Sequence, residues 1–262
     1  MKMTEESPRL FRERVRRGEW RKTTNGICPG YVQANLVILP KEFALDFTLF
    51  CLRNPQPCPI LEVLDPGDPR VHDIAPGANI CTDLPKYRIF KNGKLSEERE
   101  DITGCWRDDL VSFLIGCSYT FEEALVKGGV PIRNYFNQKD PGIYVTSLMC
   151  RPAGIFSGPL VVTMRPIPSN LVSRAVQITS RFPRAHGAPV HIGEGTRIGV
   201  PDLSRIDFGE VPEIEAGEIP VFWACGITPQ MAAEGSKIPL MITHKPCHMF
   251  VSDLTIEEVA IS

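Results

Sequence analysis

Four of the five histidines in this 262-residue chain fall in two short pieces, Ser180-Arg-Phe-Pro-Arg-Ala-His186-Gly-Ala-Pro-Val-His191 and Thr243-His244-Lys-Pro-Cys-His248. Both pieces carry Pro or Gly beside the imidazoles, which fixes the backbone where a side chain must be aimed. Imidazole is the side chain whose ordinary titration lies nearest neutrality, so this pattern points to proton transfer, with Arg181 beside it as a clamp for an anion. Taken one at a time, each imidazole also fits a structural role, bonded to backbone. His244 and His248 stand four apart, a zinc spacing on a helix, but Pro246 between them opposes a helix there. No nucleotide-loop pattern occurs, since Gly193-Glu-Gly195 lacks the remaining glycines and the Lys. The chain therefore calls for no cofactor, and a divalent metal stays open.

A second constellation lies in a repeat. Val221-Phe-Trp-Ala-Cys-Gly-Ile-Thr-Pro-Gln-Met-Ala-Ala233 falls in register with Leu114-Ile-Gly-Cys-Ser-Tyr-Thr-Phe-Glu-Glu-Ala124 after a shift of 108 positions, which sets Cys117 on Cys225, Thr120 on Thr228 and Glu122 on Gln230. Each copy predicts a strand that runs into a helix. Thr120 with Glu123 spells a capping box, and Thr228 with Pro229 an N-cap and first helical residue. Amides at such helix starts, beside Thr120 and Thr228, can receive carboxylates. Cys117 and Cys225, just before those starts, occupy positions where a thiol becomes more acidic, and a nucleophile is conceivable there. A further echo sets Cys150 to Phe156 against His244 to Phe250, so that one copy carries imidazoles where the other has Cys150 and Gly154. An asymmetric site at the seam between two related halves is the expectation.

The elements that must position these residues follow from periodicity. Residues 12–22 suit a helix, 30–39 a strand ended by Pro40, and 41–52 an amphipathic helix with Phe43, Leu45, Phe47 and Phe50 at helical spacing. Alternate prolines make 54–59 a stiff loop that presents Asn54 between Cys51 and Cys58. A strand at 60–64 and a hairpin turning at Asn92-Gly93 follow. The unbroken apolar run 110–117 predicts a strand buried on both faces. Between the repeats come a strand at 161–167 that carries Arg165, a helix at 169–182 and a short strand at 189–193; a last strand covers 240–254. The pattern gives an α/β protein: a larger three-layer α/β domain, 1–160 with 218–262, holding the two related strand-helix units, and a smaller two-layer α+β domain, 161–217, inserted between them.

Composition excludes other classes. Lys and Arg total 29 against 31 Asp and Glu, so no net field recruits nucleic acid or an anionic membrane. No apolar run reaches membrane-spanning length, and the charged first twenty residues do not suit a signal peptide. Nine cysteines, an odd number with no C-x-x-C pair, suit reduced thiols and a cytoplasmic protein. The expected partner is a small amino or hydroxy acid, with a homo-oligomer left open.

Several long motifs in one order then resemble the D-glutamate cyclase family, also known as hydro-lyases: Gly30-Tyr-Val-Gln-Ala-Asn35, Arg53-Asn-Pro-Gln-Pro-Cys-Pro59, Thr82-Asp-Leu-Pro-Lys-Tyr-Arg88, Ser180-Arg-Phe-Pro183 with His186 to Gly193, and Pro220 to Gly226 with Thr228-Pro-Gln230. The similarity runs from about Asn25 to Asp253. Cys81 and Cys247 depart from it, standing where the family tends to have Arg and Gly. The resemblance implies an α/β domain with a smaller α+β domain and, for D-glutamate, dehydrative ring closure to 5-oxo-D-proline. That reaction needs a base, an acid, donors for an oxyanion and a cationic clamp. Residue chemistry then assigns His244 as acid/base with His191 assisting, Asn54 as oxyanion or amine partner, and Arg181 and Arg165 as clamps. The amides beside Thr120 and Thr228 receive carboxylates, with Cys117, Cys225 and His186 close by. The alternatives are a non-catalytic carboxylate or metal-binding protein and an amidohydrolase acting on a lactam.

Overall fold

The computed structural model describes residues 6–137 and 139–261. Its elements run in the order α1 (Pro8–Arg16), β1 (Tyr31–Pro40), α2 (Lys41–Arg53), β2 (Ile60–Val63), β3 (Tyr87–Lys91), β4 (Lys94–Arg99), β5 (Leu110–Gly116), α3 (Tyr119–Lys127), α4 (Arg133–Asn137), β6 (Gly142–Met149), β7 (Pro159–Pro168), α5 (Val172–Ser180), β8 (His191–Ile192), β9 (Glu218–Ala224), α6 (Ile227–Gly235), β10 (Met241–His244), β11 (Phe250–Thr255) and α7 (Ile256–Val259). The fold is α/β, with helices laid against two sheets whose strand pairs are all antiparallel.

The larger sheet has seven strands in the order β2-β5-β1-β10-β3-β4, with β11 also paired to β1. The smaller has the order β6-β7-β9-β8. The stretch 161–217 therefore shares its sheet with β6 and β9, which flank it in sequence. Alternation along β1 divides the packing. Val32, Ala34, Leu36 and Ile38 join a core that also takes Phe121 and Leu125 of α3 and Val221 and Trp223 of β9. Val37 and Leu39 face the opposite way, onto Phe47 and Phe50 of α2 and Ala232 and Ala233 of α6.

The repeat is present in three dimensions and larger than the sequence echo. Strands β5 and β9 have seven residues each and helices α3 and α6 nine each, displaced by the same 108 positions at both ends. Strands β1 and β7 are a second matched pair, ten residues each, ending on Pro40 and Pro168 and each followed by a helical segment. Asn35 lies opposite Ile115 and Thr163 opposite Trp223, so the registers also correspond. The halves exchange their last strands. β6, which follows α3, pairs with β7, while β11, which follows α6, pairs with β1.

Several local expectations change. The first helix occupies 8–16, not 12–22, because Ser7 caps it with Pro8 in its first turn and the chain turns at Gly18 with φ +74°. Leu45 faces outward from α2. The single strand expected over 240–254 is two strands, with His244 to Met249 crossing between them. The echo of 150–156 with 244–250 is not a structural equivalence, since Phe250 on β1 corresponds by register to Tyr144 on β7. Neither threonine caps its helix: Ser118 and Gly226 hold the N-cap positions. Thr120 Oγ1 instead accepts the Gln33 amide at 3.2 Å and Thr228 Oγ1 the Val161 amide at 2.9 Å. Each threonine ties its helix to the first strand of its own half, a tertiary partner that outcompetes the local cap. Asn92 and Gly93 both take positive φ, as the type I′ turn requires.

Candidate active site

A pocket of about 300 Å³ opens where the two strand-helix turns meet. Its lining residues come largely in pairs from equivalent positions of the two halves: Asn35 with Thr163, Cys117 with Cys225, Tyr119 with Ile227, Pro141 with Cys247, and Ile143 with Met249. The hollow therefore sits on the pseudo-twofold seam. Ser118 and His244 line it without a counterpart there. Close approach across the seam needs Gly226, where a Cβ would run into the Asn35 amide group. Asn35 Nδ2 in turn donates to the Gly116 carbonyl at 2.7 Å.

Each helix reaches across to a polar group, and the two groups differ. Glu122 of α3 accepts from Arg165 Nε at 2.7 Å, both side chains being fully buried. Arg165 also donates to Thr163 Oγ1 and Ser118 Oγ, each at 3.0 Å, and its guanidinium lies over the rings of Phe121 and Trp223. Burial pushes the Glu122 carboxyl up, and Arg165 opposes the shift. Since Ser118 and Thr163 accept from Arg165, their own O–H bonds are free to point into the pocket that both residues line.

On α6 the residue equivalent to Glu122 is Gln230, and its partner is His244. Gln230 Nε2 stands 2.7 Å from His244 Nδ1, and the Leu36 amide donates to the same nitrogen at 3.1 Å. A backbone N–H can only donate, and it lies closer to Nδ1 than the Leu36 carbonyl does at 3.4 Å, so the geometry favours Nδ1 as acceptor and the ring proton on Nε2. Burial lowers the His244 pKa to about 3; the Leu36 backbone opposes the shift, and His248 and Arg88 add to it. His248 itself is bonded through Nδ1 to the Pro246 carbonyl at 2.8 Å.

At the pocket edge Tyr119 Oη donates to Asp140 Oδ1 at 2.7 Å. Burial raises the Asp140 carboxyl, with Tyr119 and Cys247 opposing, and pushes the Cys247 thiol well up. Cys247 takes φ +67° to place that thiol in the wall. Burial also raises Cys117 to about 12 and Cys225 to about 11, overriding the first helical amides that lower them. Both line the pocket as neutral thiols, which corrects the expectation of an acidified nucleophile.

The residues expected to act from elsewhere in the chain divide. His244, Cys117 and Cys225 line the pocket, and Arg165 stands behind its Ser118 and Thr163 wall. Thr120 and Thr228 stand behind the two turns as strand ties, and their amides fold back onto the carbonyls of Cys117 and Cys225, which occupies the donors expected to meet carboxylates. His191 and Arg181 do not line this hollow. His191, on β8, bonds through Nε2 to the Glu194 carbonyl at 2.8 Å and packs against Phe222, and Arg181 Nε donates to the Ile261 carbonyl. Asn54 closes α2, with Oδ1 accepting the Arg151 amide and Nδ2 donating to the Phe50 and Arg151 carbonyls, so its amide is used to staple two loops. His186 is buried with φ +76°, bonded through Nδ1 to the Gln56 carbonyl, and burial lowers it to about 4. Among the described residues no group of three or more His, Cys, Asp or Glu side chains is arranged to hold a metal ion.

Asn35, Ser118, Tyr119, Asp140, Thr163 and Gln230 complete the candidate site, and sequence chemistry alone does not mark them as site residues. Asn35 closes the Gly30–Asn35 motif, and Gln230 is one of the few positions at which the repeat copies differ in charge, so the signal for both was present. Thr163 becomes visible only through the register of β7.

The family model for D-glutamate cyclase matches residues 111–253, more than half of the chain. The chain belongs to the D-glutamate cyclase family. A relative from Stutzerimonas stutzeri is 53% identical over 97% of this chain and 96% of its own length, and one from a Thermoanaerobacter species is 56% identical over 97% and 96%. A Geobacillus kaustophilus relative is 53% identical over 97% of each chain. All three are named only by the class hydro-lyase, with no substrate stated. Membership makes this protein an enzyme of the lyase class. A nitrogen repressor-like protein from Methanococcus jannaschii shares 10% identity at a TM-score of 0.39, covering 96% of this chain and 99% of its own. No helix among the described residues is long and apolar enough to cross a membrane.

Proposed function

We propose that the pocket on the seam is the active site and that it removes water from a small amino or hydroxy acid, with closure of D-glutamate to 5-oxo-D-proline as the reaction it fits best. The observation that carries this reading is the set of neutral donors lining one small hollow: the His244 imidazole and the Ser118 and Thr163 hydroxyls, which accept from Arg165. In the ring closure the free α-amine attacks the γ-carboxyl carbon, a C–N bond forms, and negative charge develops on oxygen. Buried donors fixed before the reaction stabilise that charge more than water would. The C–O bond then breaks, and the hydroxide leaves as water with a proton that began on the amine. Tyr119, backed by the raised Asp140 carboxyl, is the wall group suited to pass that proton. Holding both ends of one molecule in a small pocket supplies much of the rate by proximity.

Hydrolysis of a lactam runs through the same tetrahedral species in reverse, so these donors serve either direction. The nine cysteines, all free thiols, suit the reducing cytoplasm as the place of work. The test is to incubate the purified protein with D- and L-glutamate, 5-oxoproline and a panel of hydroxy-dicarboxylates, with and without chelator, and follow loss or gain of water by mass spectrometry. Formation of 5-oxo-D-proline that His244→Ala abolishes is the expected result. No water exchange with any member of the panel would remove the reading.

A further inference from the structure

The difference between Glu122 and Gln230 bears on how His244 works. Both residues are buried on matched helices and both reach across the seam, but only the one facing His244 is an amide. Two donors converge on His244 Nδ1, the Leu36 amide and Gln230 Nε2. Turning the Gln230 side-chain amide the other way would set its carbonyl oxygen against a nitrogen that already accepts a proton from Leu36, so the donor orientation is the consistent one. Protonation at Nδ1 would set three N–H groups against one another in a buried space, with only the more distant Leu36 carbonyl, 3.4 Å from Nδ1, to accept. The imidazole is thus built to stay neutral and to present Nε2–H.

We infer that Gln230 is a positioning residue that locks His244 in its Nε2–H tautomer, so that His244 acts on the substrate as a neutral hydrogen-bond donor to the developing oxyanion and not as a general base. This rests on the proposed water-loss chemistry for its catalytic consequence, though the tautomer itself does not. The charged and titratable groups facing the ring agree with it: Arg88 on β3, paired opposite Thr243, and His248 in the following loop both disfavour a second positive charge. A neutral imidazole serves as an electrophile in this way in triosephosphate isomerase, where a helix N-terminus keeps it uncharged. In this protein two N–H donors on Nδ1 do the same.

The experiment pairs nitrogen NMR of the ¹⁵N-histidine-labelled full chain with kinetics on the substrate identified above. Wild type is expected to show Nε2 protonated and Nδ1 bare, at neutral pH and down to at least pH 5. Gln230→Glu replaces a donor with an acceptor and is expected to draw the proton to Nδ1, lowering kcat about a hundredfold, the usual order for one lost oxyanion donor, with KM little changed. Gln230→Met removes one of the two donors on Nδ1 and leaves the Leu36 amide, so a detectable Nδ1-protonated fraction and a loss of kcat smaller than that of the Glu variant are expected; an unchanged tautomer and kcat would overturn the role given to Gln230. A wild-type spectrum with Nδ1 protonated, or an imidazolium at neutral pH, would overturn the inference even if the Glu variant did not fold. A Gln230→Glu enzyme with the proton moved and kcat intact would overturn the catalytic part. If wild type turned over none of the panel, the spectra would still decide the tautomer, so the two failures are distinguishable.

Discussion

Glu122 and Gln230 occupy one place on two helices related by 108 positions, yet one neutralises a guanidinium and the other holds an imidazole. On the α3 side the polar group is a buried ion pair, which shows itself to the pocket only through the Ser118 and Thr163 hydroxyls. On the α6 side the polar group faces the pocket directly, and the turn before it has Gly226 in place of Ser118. Duplication supplies two equivalent turns. Divergence at three or four positions makes one a polarised wall and the other a donor. A symmetric pocket would meet both faces of a substrate alike; on the proposed reading this one distinguishes them, as a reaction with one nucleophile and one leaving group requires.

The comparison breaks most severely at the ion pair. Arg165→Leu leaves the Glu122 carboxyl buried without its partner, and unfolding by urea is expected to show a loss of about 3–5 kcal/mol. Replacing both, as Glu122→Leu with Arg165→Leu, should recover much of that, because no uncompensated charge remains. Making the two turns alike is the next test. Gly226→Ser forces a side chain against Asn35 and should cost about 1–3 kcal/mol, as overpacking does, whereas Ser118→Gly removes one partner of Arg165 and should cost about 1 kcal/mol. Equal costs for the two turns would contradict the assigned asymmetry. Thr120→Val and Thr228→Val remove equivalent ties, each stranding one buried strand amide. Both should lose about 1–2 kcal/mol, and a large difference between them would show that the halves are not equivalent behind the pocket.

Acid sharpens the comparison further. His244 and His186 are held at about 3 and about 4, below the ordinary histidine value of 6.5 that the unfolded chain would show. The unfolded chain therefore binds more protons across that interval, so stability falls as pH drops below 6.5 and continues to fall until pH 3–4. Glu122 works the other way, since a carboxyl raised by burial favours the fold more as pH falls. Urea midpoints measured between pH 7 and 4.5 should decline, and the decline should be shallower in His186→Asn, provided that variant folds.

Much of this architecture is legible in local pattern. The apolar run 110–117 is β5, buried along its whole length, and alternate prolines do end α2 where expected. The repeat around Cys117 and Cys225 marks both turns that wall the pocket. What local pattern does not contain is the exchange of β6 and β11 between halves, because strand pairing across more than a hundred residues leaves no periodic trace. That exchange brings Ile143 beside Cys225, in a cluster that also takes Cys247, and Met249 beside Cys117. The histidine pieces misdirect for a related reason. Proline and glycine around His186 and His191 do fix the backbone, but they fix it for bonds to the carbonyls of Gln56 and Glu194, while His244 shares the pocket with residues far from it in sequence. Asn54 is likewise spent on closing α2.

On the proposed reading, catalysis belongs to the hollow on the seam and to His244 within it. The direct measurement is turnover of D-glutamate by four variants in parallel with wild type: His244→Ala, Ile227→Trp to fill the pocket, His191→Ala and Arg181→Ala. The first two are expected to fold and lose at least a hundredfold in kcat/KM, and the last two to stay within a few-fold of wild type. Full activity with the pocket filled, or loss of activity confined to His191 and Arg181, would contradict it.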